Sequence, residues 1–193
     1  MCRTANGMPH RAFPTKGLQA VIQGEFMIHI YTGDGKGKTT AACGLALRAA
    51  GCGKNVFAVQ FLKDGTSGEI CAFESFKNIK VMSTETKGFL WNMTDAEKKE
   101  TKAAHDKLFK TAVQKAADFD VIVFDEILGA ISAGMIDEGA VVDFLKTNPE
   151  PEIVLTGRNA SKALIELADY VSEIKCVKHP MEKGIPARQG IEY

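Results

Sequence analysis

The apolar run Met27-Ile28-His29-Ile30-Tyr31 passes into Gly33-Asp34-Gly35-Lys36-Gly37-Lys38-Thr39-Thr40 and then into Ala41-Ala42-Cys43-Gly44-Leu45-Ala46-Leu47-Arg48. The order is strand, glycine loop, small-residue helix, and it constrains the fold more than any other stretch. Glycines admit positive φ and close backbone approach, so such a loop can wrap N–H groups around phosphate oxygens. A helix starting near Lys38 adds the positive end of its dipole to the same space. The general phosphate-loop pattern G-x-x-x-x-G-K-[ST] asks for a glycine five residues before Gly37, where Thr32 stands. Gly33 comes one residue late, so the loop is a short variant.

Beyond the loop, β-rich apolar runs alternate with helical patterns. Strands are expected at Ile28–Thr32, Val56–Leu62, Ile79–Met82, Val121–Asp125, Ile153–Thr156 and Tyr170–Val177, and helices at 38–51, 67–77, 95–117, 137–147 and 160–168. Thr94 followed three residues later by Glu97 reads as a capping box for the longest helix. Nearly continuous apolar strands separated by helices imply an α/β fold: a mostly parallel central sheet of about six strands, covered on both faces. Residues 1–26 carry prolines and glycines with little periodicity and read as a loose N-terminal arm, with Met27 a possible natural start. Residues 27–193 read as one domain, a size that buries a full core.

Ligands in such sheets bind beyond the carboxyl ends of the strands, and so the chemistry is sought there. Lys38 is the candidate phosphate lysine and Thr39 the candidate magnesium hydroxyl. Gly33, Gly35 and Gly37, with Asp34, Lys36 and Thr40 between and after them, form the cradle. Val121-Ile122-Val123-Phe124-Asp125-Glu126 is an apolar strand ending in two carboxylates. In phosphate-loop proteins a strand of this kind lies beside the phosphate-loop strand and delivers an acid to Mg²⁺ or its water shell. Spacing does not choose between Asp125 and Glu126, and both are candidates. Gln60-Phe61-Leu62-Lys63-Asp64-Gly65 reads as a strand end with ordinary polar residues. Lys87-Gly88-Phe89-Leu90-Trp91-Asn92-Met93 sets large apolar side chains before a helix, either as a loop anchor or as an aromatic surface for a flat ligand. Arg158, in Thr156-Gly157-Arg158-Asn159, either reaches a phosphate or faces solvent. Nothing in the residue types marks the polar C-terminal stretch from Val177 as functional.

Composition narrows the partners. The formal net charge is +0, with 25% charged residues, so no global field favours nucleic acid or an acidic membrane. No apolar run reaches the length of a membrane span, and the start lacks a secretory core. Five cysteines without C-x-x-C spacing and four scattered histidines argue against a disulfide framework or a zinc site. These features read as a cytoplasmic globular protein.

Taken in order, the motifs resemble one family, the BtuR/CobO-type ATP:cob(I)alamin adenosyltransferases, or corrinoid adenosyltransferases. The resemblance rests on Tyr31–Thr40, Val59-Gln60-Phe61-Leu62-Lys63, Gly88-Phe89-Leu90-Trp91, Val123-Phe124-Asp125-Glu126, Leu155-Thr156-Gly157-Arg158, and Val177-Lys178-His179-Pro180 with Gly190-Ile191-Glu192-Tyr193. The short loop is that family's own form. The resemblance implies a RecA-like P-loop fold, a homodimer, and the use of ATP, Mg²⁺ and a reduced corrinoid, with a flavoprotein or other reductant as partner. It implies transfer of the 5′-deoxyadenosyl group of ATP to Co(I) with release of triphosphate. By the same resemblance Gly33–Thr40 hold the triphosphate, Lys38 stabilises it as leaving group, and Thr39 with Glu126 hold the metal. Phe89 and Trp91 then face the corrin and help remove its lower ligand. The alternatives are a P-loop kinase or NTPase cleaving the γ-phosphate, and a non-catalytic ATP-dependent corrinoid carrier.

Overall fold

A computed structural model of the chain describes residues 26–63, 65–84, 93–147 and 150–192. Strands β1 (Ile28–Thr32), β2 (Val56–Gln60), β3 (Ile79–Ser83), β4 (Val121–Asp125), β5 (Glu152–Thr156) and β6 (Tyr170–Glu173) form one sheet in the order β3-β2-β4-β5-β1-β6. Every pairing is parallel. All six carboxyl ends therefore open on the same side, and the loops that follow them share one surface.

The inner strands explain their own composition. β2 and β4 are buried at every residue, as expected of parallel strands covered on both faces. Successive side chains of β4 go to opposite layers. Val121 and Val123 join Ala42, Ala46 and Ala50 of helix α1 (Lys38–Gly51), whereas Ile122 and Phe124 join Leu108 and Phe109 of α3 (Asp95–Lys115) and Phe144 of α5 (Glu138–Thr147). The alanines of α1 repeat every four residues, so one narrow face of that helix lies close against the sheet. On the other side the rings of Phe109, Phe124 and Phe144 pack with centroids 5.8 to 6.1 Å apart. Helix α3 starts on the expected capping box. Thr94 N–H donates to Glu97 Oε2 at 2.7 Å, and Glu97 N–H donates back to Thr94 Oγ1 at 3.3 Å.

Five expectations change. The acid-bearing strand β4 does not lie beside the phosphate-loop strand β1, because β5 is inserted between them. The crossover from β1 through α1 reaches β2, and β4 and β5 later fill the gap. β2 ends at Gln60 rather than Leu62, because Leu62 turns into the left-handed region at φ 56°. β6 ends at Glu173 rather than Val177. Helix α2 (Gly68–Phe73) is shorter than 67–77, and a helix α4 (Ile127–Ser132) follows β4 where none was expected. Six residues are too few to show a helical period in sequence. Helix α6 (Lys162–Leu167) completes the set.

Candidate nucleotide site at the ends of β1, β2, β4 and β5

The loop after β1 uses its glycines for two different purposes. Gly33 and Gly35 lie against the backbone that leaves β6: a Cβ on Gly35 would come within 2.7 Å of the Lys175 carbonyl carbon, and one on Gly33 would overlap Ile174 O. Gly35 N–H donates to Ile174 O at 2.8 Å, and Cys176 N–H donates to Asp34 Oδ1 at 3.2 Å. That bond holds the Asp34 carboxyl below its ordinary range. Gly37 differs, because a Cβ there would meet nothing within 4 Å although its φ is +121°. Its conformation turns the chain into α1 and leaves open space before the helix. No side chain caps the helix start and no acidic residue stands in its first turn. The N–H groups of that turn therefore face a cavity suited to an anion.

That cavity, about 600 Å³, is lined by Lys36–Thr40, Lys63, Glu126 and the C-terminal residues Gly190–Glu192 among others. Lys38 is 8% exposed, and its Nζ donates to Gly35 O at 2.8 Å. Burial pushes its pKa down, against the pull of Glu126. Gly33, Asp34 and the exposed Arg158 instead line an adjoining cavity with Thr32 and Asn159. The predicted cradle residues thus divide between two spaces, and Gly35, buried against the backbone after β6, lines neither. Phe89 and Trp91 lie outside the described residues.

Asp125 is the hub. Its Oδ1 accepts from Thr39 Oγ1 at 2.8 Å and from Thr156 Oγ1 at 2.7 Å. Its Oδ2 accepts from Lys63 Nζ at 2.8 Å and from Gln60 Nε2 at 3.4 Å. Donors from the ends of α1, β2 and β5 and from the β2 exit therefore converge on one carboxylate that is 4% exposed. Glu126 is held otherwise. Its backbone is left-handed at φ 60°, its N–H donates to Thr156 Oγ1 at 2.9 Å, and its side chain reaches the cavity. Burial and the neighbouring Asp125 charge raise its pKa, opposed by Lys63, Lys38 and Arg158. The two adjacent acids that spacing could not separate thus have different surroundings.

Lys63 and Gln60 were read as ordinary strand-end residues, and the structure corrects that. Lys63 Nζ also donates to Thr39 Oγ1 at 3.3 Å. Burial disfavours its charge, yet the Asp125 carboxylate, Glu126 and Glu69 together outweigh burial and raise its pKa. The turn that aims Lys63 is braced from α3: Leu62 N–H donates to Nε2 of the fully buried His105 at 3.0 Å. His105 Nδ1 faces Thr101 O at 2.8 Å, so Nδ1 carries the proton. Burial pushes the His105 pKa down. The tail is the other residue group that sequence did not mark. Glu192 Oε1 accepts from Lys36 Nζ at 3.1 Å while Arg188 grips both carboxylate oxygens. The Arg188 hydrogen bonds hold Glu192 down at about 2.

The chemistry of the donor set fits a hard divalent ion. Thr39, Asp125 and Glu126 offer oxygen only, and Gln60 Oε1 is a buried oxygen with no hydrogen-bond partner among the described residues. Among the described residues no group of three His, Cys, Asp or Glu side chains could hold a metal by itself. Such a site is completed by phosphate oxygens.

A family model described as ATP:corrinoid adenosyltransferase BtuR/CobO/CobP matches residues 25–193. The chain belongs to this family. A corrinoid adenosyltransferase of Escherichia coli K12 is 38% identical over 173 residues, covering 86% of this chain and 85% of the relative. The corrinoid adenosyltransferase CobA of Salmonella typhimurium is 37% identical with the same coverage. A corrinoid adenosyltransferase of Pseudomonas aeruginosa is 36% identical over 168 residues, covering 85% and 82%. The match begins two residues before Met27, so the described sheet and its loops fall within it. No helix among the described residues is long and apolar enough to cross a membrane.

Proposed function

We propose that this chain transfers the 5′-deoxyadenosyl group of ATP to the Co(I) of a reduced corrinoid, with triphosphate as the leaving group. The observation that carries the reading is the short glycine loop opening onto an uncapped helix start, in a chain that belongs to the corrinoid adenosyltransferases. In this reaction the electron pair of Co(I) forms a bond to C5′, the C5′–O bond breaks, and its electron pair departs with the triphosphate. The substrate metal is itself the nucleophile, so the protein's work is alignment and charge stabilisation.

Lys38, the first-turn N–H groups of α1 and the loop from Gly33 to Thr40 are suited to bind the triphosphate and to stabilise the charge it gains. Lys38 would exchange Gly35 O for a phosphate oxygen. Arg158, in the adjoining cavity, is placed to reach a second part of the nucleotide. Thr39, Asp125 and Glu126 would hold Mg²⁺, with Asp125 Oδ1 also orienting the Thr39 hydroxyl. When bound, the ion neutralises charge on the leaving group. Phe89 and Trp91 belong to the same reading as the aromatic face toward the corrin, as do a homodimer and a flavoprotein or other reductant supplying Co(I).

Incubation with ATP, Mg²⁺ and chemically reduced cobalamin tests the reading. Triphosphate and an adenosylated corrinoid are the expected products. ADP or inorganic phosphate without a Co–C bond would instead establish a γ-phosphate-cleaving enzyme. Binding of both ligands without turnover would establish a carrier.

A further inference from the structure

We propose that Lys63 is a resident counter-cation that holds the metal position closed, so that a divalent ion enters this site only together with a polyphosphate. The proposal rests on the nucleotide-site reading above and adds an order of events to it. Lys63 Nζ lies 2.8 Å from Asp125 Oδ2 and 3.3 Å from Thr39 Oγ1. Those are two of the groups that a metal beside the phosphate loop requires. A divalent ion on the Asp125 side of Thr39 and the Lys63 ammonium therefore compete for the same oxygens.

The surroundings make the competition strict. The Asp125 side chain is 6% exposed, so water is a poor substitute for its ion pair. Asp125 and Glu126 face Lys38, Lys63 and Arg158, with Glu69 also acting on Lys63, so the acids already have cationic partners. An ion arriving alone would drive Lys63 from its carboxylate and leave two cationic groups crowded at one wall. A polyphosphate arriving with the ion supplies new oxygens for Lys63, which lines the same cavity as Lys38, Thr39 and Thr40. The side chain is 31% exposed and can swing there. Its backbone need not follow, because Leu62 is braced by His105 and Phe61 N–H donates to Asp125 O at 2.9 Å. Lys63 is thus a positioning residue that makes metal binding depend on nucleotide.

Mn²⁺ in the full chain reads this directly, through loss of the free-ion signal in electron paramagnetic resonance. Without nucleotide, the wild type is expected to bind Mn²⁺ weakly, and Lys63→Met should bind it at least about tenfold more tightly, the effect of removing one nearby like charge. Lys63→Arg should keep the wild-type behaviour. Adding Asp125→Asn to Lys63→Met should abolish the gain, which locates the ion. Lys63→Gln, monitored by circular dichroism, serves if the Met variant does not fold. With ATP present, which itself chelates Mn²⁺, the readout is equilibrium dialysis, in which wild type and Lys63→Met should both retain Mn²⁺ with the nucleotide on the protein side. If the neutral variants bind Mn²⁺ alone no better than wild type, or wild type binds it fully without nucleotide, the proposal is overturned. If ATP fails to recruit Mn²⁺ to any of them, the nucleotide-site reading itself fails.

Discussion

Lys38 and the pair Asp125 and Glu126 show how much a residue's role depends on what holds it. Among the described residues the Lys38 ammonium bonds its own loop carbonyl, so its loss unmakes that one hydrogen bond of a covered side chain while removing a charge from the proposed leaving-group side. Lys38→Ala is expected to lower kcat about a hundredfold or more, the scale of losing one preorganised charge donor, with the far-UV circular dichroism of the wild type retained. The acids should separate in the opposite sense. Asp125 ties four donors together, so Asp125→Asn should cost about 1–3 kcal/mol in urea unfolding. Glu126→Gln should leave urea stability within about 0.5 kcal/mol of wild type while abolishing the response of activity to Mg²⁺. Equal stability losses in the two variants would contradict this division. Lys38, Thr39 and Asp125 could be named as candidates from sequence because each sits in a local pattern with its own backbone signal. Lys63 was not: a lysine after a strand is ordinary until another strand brings a buried carboxylate beside it.

At the scale of elements, the exit of β2 depends on α3. Leu62 occupies a left-handed conformation that a side chain adopts only with support, and the support is the neutral Nε2 of His105. Protonating that nitrogen removes the acceptor. Burial lowers the folded-state pKa of His105 from the ordinary 6.5, so below about 6.5 the unfolded chain binds the extra proton first. The His105 contribution is therefore complete above that pH and is lost as pH falls toward the folded-state pKa. Its slope is at most about 1.4 kcal/mol per pH unit. Thermal melts from pH 7.5 downward should show a steeper acid decline in wild type than in His105→Gln, whose amide does not titrate. Parallel declines would assign the acid limb to other groups. Sequence placed α3 and its capping box correctly, because those bonds span three residues. It could not show that His105 meets Leu62, forty-three positions away.

For the whole molecule, the decisive fact is the place of β5. Its insertion between β4 and β1 brings Thr156 Oγ1 between Asp125 Oδ1 and the Glu126 N–H, and one hydroxyl thereby sets both acids. Thr156→Val, which keeps the shape and β propensity, should cost about 1–3 kcal/mol for the buried partners left unmade. It should also lower kcat more than it raises the KM for ATP; steady-state kinetics with urea unfolding check both, and unchanged kinetics would make Thr156 a packing residue only. The parallel α/β class, the run of strands and the strand–glycine loop–helix unit were determined by the sequence alone, since apolar periodicity, glycine and capping act over neighbouring residues. The short loop already carried the family resemblance. Which strand lies next to which was decided only by the tertiary structure. So were the convergence of Lys63, Gln60 and Thr156 on Asp125, and the return of Glu192 to Lys36. These contacts join residues far apart in the chain, and no local preference of backbone or side chain encodes them.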